Sequence, residues 1–259
     1  MTILSLENQK VRIDEGELVG YSVGGYELIH QKGSPGWRNS DTEMFPIIGP
    51  TNEADFKVNT PKGLALQDQH GLLRELEYEL LENTETKAVF EKRYLANTKV
   101  KNSKFPEKST EPELFWPYDF NFVKSYYLNE KGLEIRFEIN GEDGMPFMLG
   151  YHPAFNLATE NPLIKTQERE ITIPQVMAVG SRALQVPNQS SIELKDRVNL
   201  SITTEGFEHF MLWTEVPNMV CIEPITFYPY EVEQANLDKG FHYVKESHPI
   251  TFKVYLQPK

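Results

Sequence analysis

The chain has 259 residues, a length that one large all-β domain or two smaller domains would use. Thirty-eight acidic against 26 basic residues leave a net charge of −12, the wrong sign for displacing counterions from DNA or RNA or for settling on anionic lipid. No apolar run approaches the roughly 18 residues of a spanning helix. The first residues, MTILSLENQK, carry no basic stretch leading into an apolar one, and the single cysteine, Cys221, excludes an internal disulfide. The expectation is a cytoplasmic protein without nucleic-acid or membrane partners.

In chain order the dominant period is two. Val11 to Asp14, Leu18 to Val23, Tyr26 to His30, Leu76 to Leu80 and Ala88 to Tyr94 read as short strands. Further runs are Phe120 to Leu128, Leu133 to Ile139, Val198 to Thr203, Phe210 to Trp213, Met219 to Ile222 and Ile250 to Leu256. Alternation of this kind places one set of side chains on a core face and the other outward, as in antiparallel sheets. Turn-forming clusters separate the runs, among them Gly24-Gly25, Asn129 to Gly132 and Asn140 to Gly144. Lys99 to Pro117 alternates little and reads as a long solvated loop, either a plain connector or a lid over a cleft. Tyr230 to Lys239, stopped by Gly240, is the main helical candidate. The prediction is an all-β protein, a large antiparallel β-sandwich spanning residues 1–259 as one domain, with a barrel as the alternative.

Three segments set ionisable residues among turn-forming and apolar ones. His152 precedes Pro153, which forces extended backbone and interrupts strand pairing; such a histidine either hydrogen-bonds in a core or faces a ligand from a strand end. Glu223 follows the apolar run Met219 to Ile222 and precedes Pro224. It is either a solvated strand end or a desolvated carboxyl of raised pKa, the setting of a general acid or base. His70 lies between Gln69 and Gly71 with Arg74 four residues on: a surface loop, or a pair of donors for an oxygen-rich ligand. No Walker loop, G-x-S-x-G elbow, G-x-G-x-x-G or H-E-x-x-H is present, and no pair of candidate ligands has metal-binding local spacing, so no metal is expected.

Taken together, Met44-Phe45-Pro46-Ile47-Ile48-Gly49, Gln69-His70-Gly71-Leu72, Trp116-Pro117-Tyr118-Asp119-Phe120, Gly150 to Leu157 and Cys221-Ile222-Glu223-Pro224 resemble the aldose 1-epimerase (galactose mutarotase) family, in particular its shorter bacterial branch. The resemblance implies the β-supersandwich fold and a mutarotase acting on a free aldose, with His152 as acid, Glu223 as base and His70 binding sugar hydroxyls. It implies that acid and base stand on opposite sides of the anomeric centre. No cofactor or metal is implied; the partner is a small sugar, and the chain is a monomer or homodimer. Related sequences carry an arginine directly after the F-P-x-x-G turn, where this chain has Pro50. Arg38 and Arg74 are the candidates to replace it, and Trp37, Trp116, Phe155 and Phe227 are candidates to stack on a pyranose. Two alternatives stay open: a mutarotase of phosphorylated hexoses drawing on Arg38, Arg74, Lys32 and Lys62, and a non-catalytic sugar-binding protein on the same fold.

Overall fold

The longest period-two segments form the centre of the molecule. Phe120–Asn129 and Gly132–Gly141 pair along their whole length across a two-residue turn. The computed structural model, which describes residues 1–37, 41–245 and 248–259, extends this hairpin into a nine-stranded antiparallel sheet. On one side follow Lys87–Tyr94 and Glu79–Asn83; on the other Ile250–Pro258, Leu200–Glu205, Ser191–Lys195, Leu163–Lys165 and Glu170–Thr172. A second sheet runs in the order Leu184–Val186, His209–Trp213, Met219–Ile225, Gly150–Tyr151, Glu43–Met44, with Ala154–Asn156 also pairing on Met219–Ile225. Aromatic side chains fill the space between the sheets. Phe137 of the first sheet meets Tyr151 of the second at 5.2 Å between ring centroids, and Phe45 meets Phe120 edge-on at 5.0 Å. The expected antiparallel β-sandwich is the observed fold.

Met219–Ile225 is buried at every position, which explains why its sequence is a continuous apolar run instead of an alternating one. Its two faces serve different layers. Val220 and Ile222 point into the main core together with Phe210 and Leu212 of the neighbouring strand. Cys221 and Ile225 belong to smaller clusters on the other face, with Met211 and Trp213.

Two expectations are corrected. The strand expected at Leu76 to Leu80 begins at Glu79, because the residues before it turn inward: Leu76 packs on the core and the Tyr78 hydroxyl donates to Glu43 Oε2 at 2.8 Å. Tyr230 to Lys239 forms no α-helix. Short 3₁₀ turns at Pro229–Glu231 and Gln234–Gly240 flank an extended Val232, a β-branched residue that favours that conformation. A seven-residue α-helix, Ile173–Val179, occurs instead where Thr172 starts it; the Thr172 N–H donates to Gln175 Oε1 at 2.8 Å.

Behind the second sheet lies a fully buried ion cluster. Lys124, from the centre of the nine-stranded sheet, has no exposed surface and donates to Asp41 Oδ2 at 2.8 Å and Glu43 Oε1 at 2.5 Å. Asp41 also accepts from the Tyr151 hydroxyl at 2.6 Å and the Leu18 N–H at 2.5 Å. Burial works against the Lys124 charge, but Asp41 and Glu43 outweigh it and push the ammonium pKa up. At Glu43 burial is likewise outweighed by Lys124 and Lys92, and its pKa falls. Removing the ammonium strands two carboxyl groups in an apolar layer. Lys124→Met is therefore expected to cost about 3–5 kcal/mol of stability, read from urea unfolding midpoints. A loss under about 1 kcal/mol, the range of an exposed pair, would contradict an ionised cluster.

Candidate active site

Strand register brings the candidate residues together. Met219–Ile225 pairs on one side with His209–Trp213, setting Met211 opposite Glu223 and Trp213 opposite Cys221. On its other side Gly150 is opposite Ile225 and Ala154 opposite Cys221, so His152 falls level with Glu223. Pairing lapses between those two contacts, where Pro153 and Pro224 supply no N–H. The His152 N–H instead donates to the Thr42 carbonyl at 2.9 Å. Since side chains two apart share a face, His152, Glu223, Cys221, Met211 and Trp213 all lie on the side of the sheet away from the main core. This face floors a cleft of about 910 Å³.

His152 Nε2 and Glu223 Oε1 are 3.4 Å apart, close enough for an ion pair but not aligned as a hydrogen bond. His152 Nδ1 and Glu223 Oε1 are both buried without a hydrogen-bond partner. The two groups stand side by side on the cleft floor. Aromatic rings close around the imidazole: Trp37 and His70 each at 5.3 Å between centroids, Trp213 at 6.2 Å edge-on. Burial pushes Glu223 well above the usual carboxyl range and lowers His152 to about 4, with Arg74 adding to the latter. Burial thus favours the uncharged form of each group, the protonated carboxyl and the neutral imidazole.

His70 reaches the cleft from a separate turn. Segments 45–50 and 68–73 are laced together: His70 N–H donates to Ile48 O at 2.8 Å, Leu73 N–H to Phe45 O at 3.0 Å, and Phe45 N–H to His70 O at 3.2 Å. His70 adopts φ 76° and Gly71 φ 70°, a double left-handed bend that aims the imidazole at His152. Burial, then Arg74, His152 and Lys104, push the His70 pKa well below its usual value. An uncharged imidazole of this kind offers one donor and one acceptor, the pattern of a sugar hydroxyl.

Arg74, on the 3₁₀ turn Leu73–Glu75 that continues this segment, also lines the cleft, as does Trp37. Arg38 lies outside the described residues. Of the other stacking candidates, Trp116 and Phe155 are fully buried in the main core and Phe227 packs in a separate cluster; none lines the cleft. Lys62 pairs with Glu142 instead of reaching the cleft. Sequence reasoning missed Trp213, Tyr230, Lys104 and Lys108, all of which line it. The two lysines belong to the stretch read as a solvated loop. It is tied to the His70 turn: Lys104 donates to Asp68 Oδ1 at 2.9 Å and Gln69 O at 2.8 Å, and Asn102 donates to Asp68 Oδ2 at 3.1 Å.

Residues 51–238 match the family model described as Aldose 1-epimerase, well over half of the chain, and the protein belongs to that family. The chromosomal and plasmid LacX proteins of Lactococcus lactis subsp. lactis are each 25% identical to it over 182 residues, which are 67% of this chain. The chain spans about half of their length, 54%. A galactose mutarotase-like protein from Lactobacillus casei superposes with a TM-score of 0.79 at 15% identity, covering all of both chains. A galactose mutarotase related enzyme from Lactobacillus acidophilus superposes with 0.76 at 17% identity, covering 99% of each. At these identities the structural likeness speaks for the fold. No helix among the described residues is long and apolar enough to cross a membrane.

The His70 bend depends on Gly71, where a Cβ would lie 2.1 Å from the Phe45 carbonyl oxygen at φ +70°. Gly71→Ala is expected to destabilise the protein by about 2–3 kcal/mol, seen as a lower urea midpoint with an unchanged m-value. An unchanged midpoint would mean that the turn accommodates a side chain.

Proposed function

We propose that the protein interconverts the α and β anomers of a free aldose, with Glu223 and His152 as the acid–base pair. The observation that carries this reading is the buried His152–Glu223 pair at the floor of the cleft, with His152 Nδ1 and Glu223 Oε1 lacking a hydrogen-bond partner. Ring opening takes a proton from the C1 hydroxyl and delivers one to the ring oxygen. Both oxygens are bonded to C1, so a base and an acid in contact with each other can reach both. Glu223 as carboxylate takes the first proton and His152 as imidazolium gives the second. After rotation about C1–C2 the ring closes on the other face, and the same two groups run in reverse. Carboxylate with imidazolium, and carboxyl with imidazole, hold the same one proton and differ only in its transfer across 3.4 Å. His70 meets the sugar hydroxyls, and Trp37 and Trp213 offer their faces to the apolar side of the ring.

Polarimetry of freshly dissolved α-D-glucose and α-D-galactose tests this. Glu223→Gln and His152→Ala should each lower the enzymatic rate by about 10²–10⁴-fold, and Glu223→Gln should keep its sugar affinity. A wild-type protein that binds sugar without accelerating the drift would instead be a binding module.

The pH profile is a second check. The pair carries its single proton above a pH of about 4, where His152 gives up the extra one, and up to the raised pKa of Glu223. Thus kcat/KM should drop as pH approaches 4. A fall centred near 6.5, the ordinary histidine value, would remove His152 from its role.

Arg74 and Lys108 favour a second reading, a phosphorylated hexose. Lys104 is engaged by Asp68, but Arg74 pairs with no carboxylate among the described residues, and Lys108 is exposed at the same cleft. A guanidinium so placed suits a phosphate oxygen pair. Arg74→Met should then raise KM for a hexose 6-phosphate by at least about tenfold while changing KM for the free hexose little, the loss of one charge-assisted contact. An equal change for both sugars would assign Arg74 to the ring hydroxyls.

A further inference from the structure

The outer face of the second sheet holds a thiol that acid–base epimerisation does not use. Cys221 is fully buried two residues before Glu223, opposite Ala154 and Trp213. Its Sγ, an imidazole nitrogen of His152 and a carboxylate oxygen of Glu223 all lie within 4.8 Å of one another. Glu223 is 2% exposed, and its Oε1 has no hydrogen-bond partner; nor does His152 Nδ1. Buried polar atoms without partners are rare, and each costs free energy unless something meets it.

We propose that His152, Cys221 and Glu223 form a site for one divalent cation of the zinc class, and that a cation bound there takes the acid–base pair out of epimerisation. The second clause rests on the function proposed above; the first does not. Nitrogen, sulfur and oxygen donors from three protein residues, two of which (His152 and Glu223) line the cleft, match the donor types zinc takes. Magnesium and calcium, which take oxygen ligands, are excluded by the thiol and imidazole. A tetrahedral zinc holds such donors about 3.3–3.8 Å apart, so closing the site needs side-chain rotation of about 1 Å. On coordination the sulfur–metal bond replaces the S–H bond, and the thiol proton, with any proton held by Glu223 or His152, passes to water; nothing is oxidised or reduced. Thiolate and carboxylate then balance the two positive charges, and an uncompensated buried carboxyl becomes part of a neutral centre. Arg74, whose charge already acts on His152, opposes the cation and weakens the site. Sugar and metal compete, because both need the lone pairs of His152 and Glu223.

Cobalt(II) titration of chelator-treated full-length protein tests the site, with polarimetry alongside. Thiolate ligation gives a near-ultraviolet sulfur-to-cobalt charge-transfer band. The expected result is one cobalt per chain with that band, and its loss when zinc, the tighter-binding ion, is added. Cys221→Ala and Cys221→Ser should abolish the band and weaken binding by at least about tenfold, the lower end of what losing even a supporting group costs. Both should retain metal-free epimerase activity and resist the zinc inhibition seen in the wild type. Two variants are used because a hydroxyl in this apolar position can unfold the strand where a methyl does not. Absence of cobalt binding, a band that persists without Cys221, or equal zinc inhibition of wild type and Cys221→Ala would each overturn the proposal. A wild type with the cobalt band but no epimerisation of any tested sugar would keep the metal site and defeat both the inhibition and the epimerase reading.

Discussion

The constraint beneath everything else is the buried ammonium of Lys124 between Asp41 and Glu43. It joins the centre of the nine-stranded sheet to the edge strand Glu43–Met44 of the second sheet, and through the Tyr151 hydroxyl to the strand before His152. The Thr42 carbonyl that accepts the His152 N–H sits between the two carboxylates in sequence. An ion cluster of this kind is costly to bury and gains little over an apolar replacement. What it supplies is position: the backbone at residues 41–43 has one arrangement in which both acids meet one cation, and that arrangement fixes the imidazole above it.

The second dependence is on the central strand Met219–Ile225, buried on both faces. Its inner side chains close the core, so its outer ones cannot be solvated by tilting the strand. Glu223 is desolvated as a consequence of the architecture, and the raised pKa follows from burial alone. His152 is pushed the other way by the same cause. One environment thus shifts the two groups in opposite directions, Glu223 toward keeping its proton and His152 toward giving it up.

Much of this was legible in the sequence. Period-two runs such as Phe120 to Leu128 gave the sheet because each strand has one core face, and the X-Pro positions at His152 and Glu223 marked where a ladder must lapse. Strands with no exposed-to-buried contrast were harder: Glu79–Asn83 is wholly exposed, so its place in the sheet comes from pairing with Lys87–Tyr94 and not from its own pattern. The cleft walls were least legible. Lys104 and Lys108 sit in a stretch without periodicity, and only side-chain bonds to Asp68 and Gln69 bring that loop to the His70 turn. Trp213 was visible as a strand residue, yet its face is decided by register with Cys221, 8 residues on in sequence but adjacent in the sheet.

Pro50 and Arg74 can be understood together. The sequence resemblance implies a guanidinium after the F-P-x-x-G turn; here that turn ends in Gly49-Pro50, and proline offers no hydrogen-bond donor. The segment hydrogen-bonded along that turn is 68–73, and its continuation into Leu73–Glu75 carries Arg74 into the same cleft, close enough for its charge to act on both His70 and His152. A cation can thus reach the cleft from either of two laced turns without altering the fold, since neither position is in a strand of the two large sheets. The chemistry of the floor, set by sheet register, is then separable from the recognition at the wall, set by turns. Under the proposed function, substrate preference can change at the second while the proposed acid–base pair at the first stays where the strands put it.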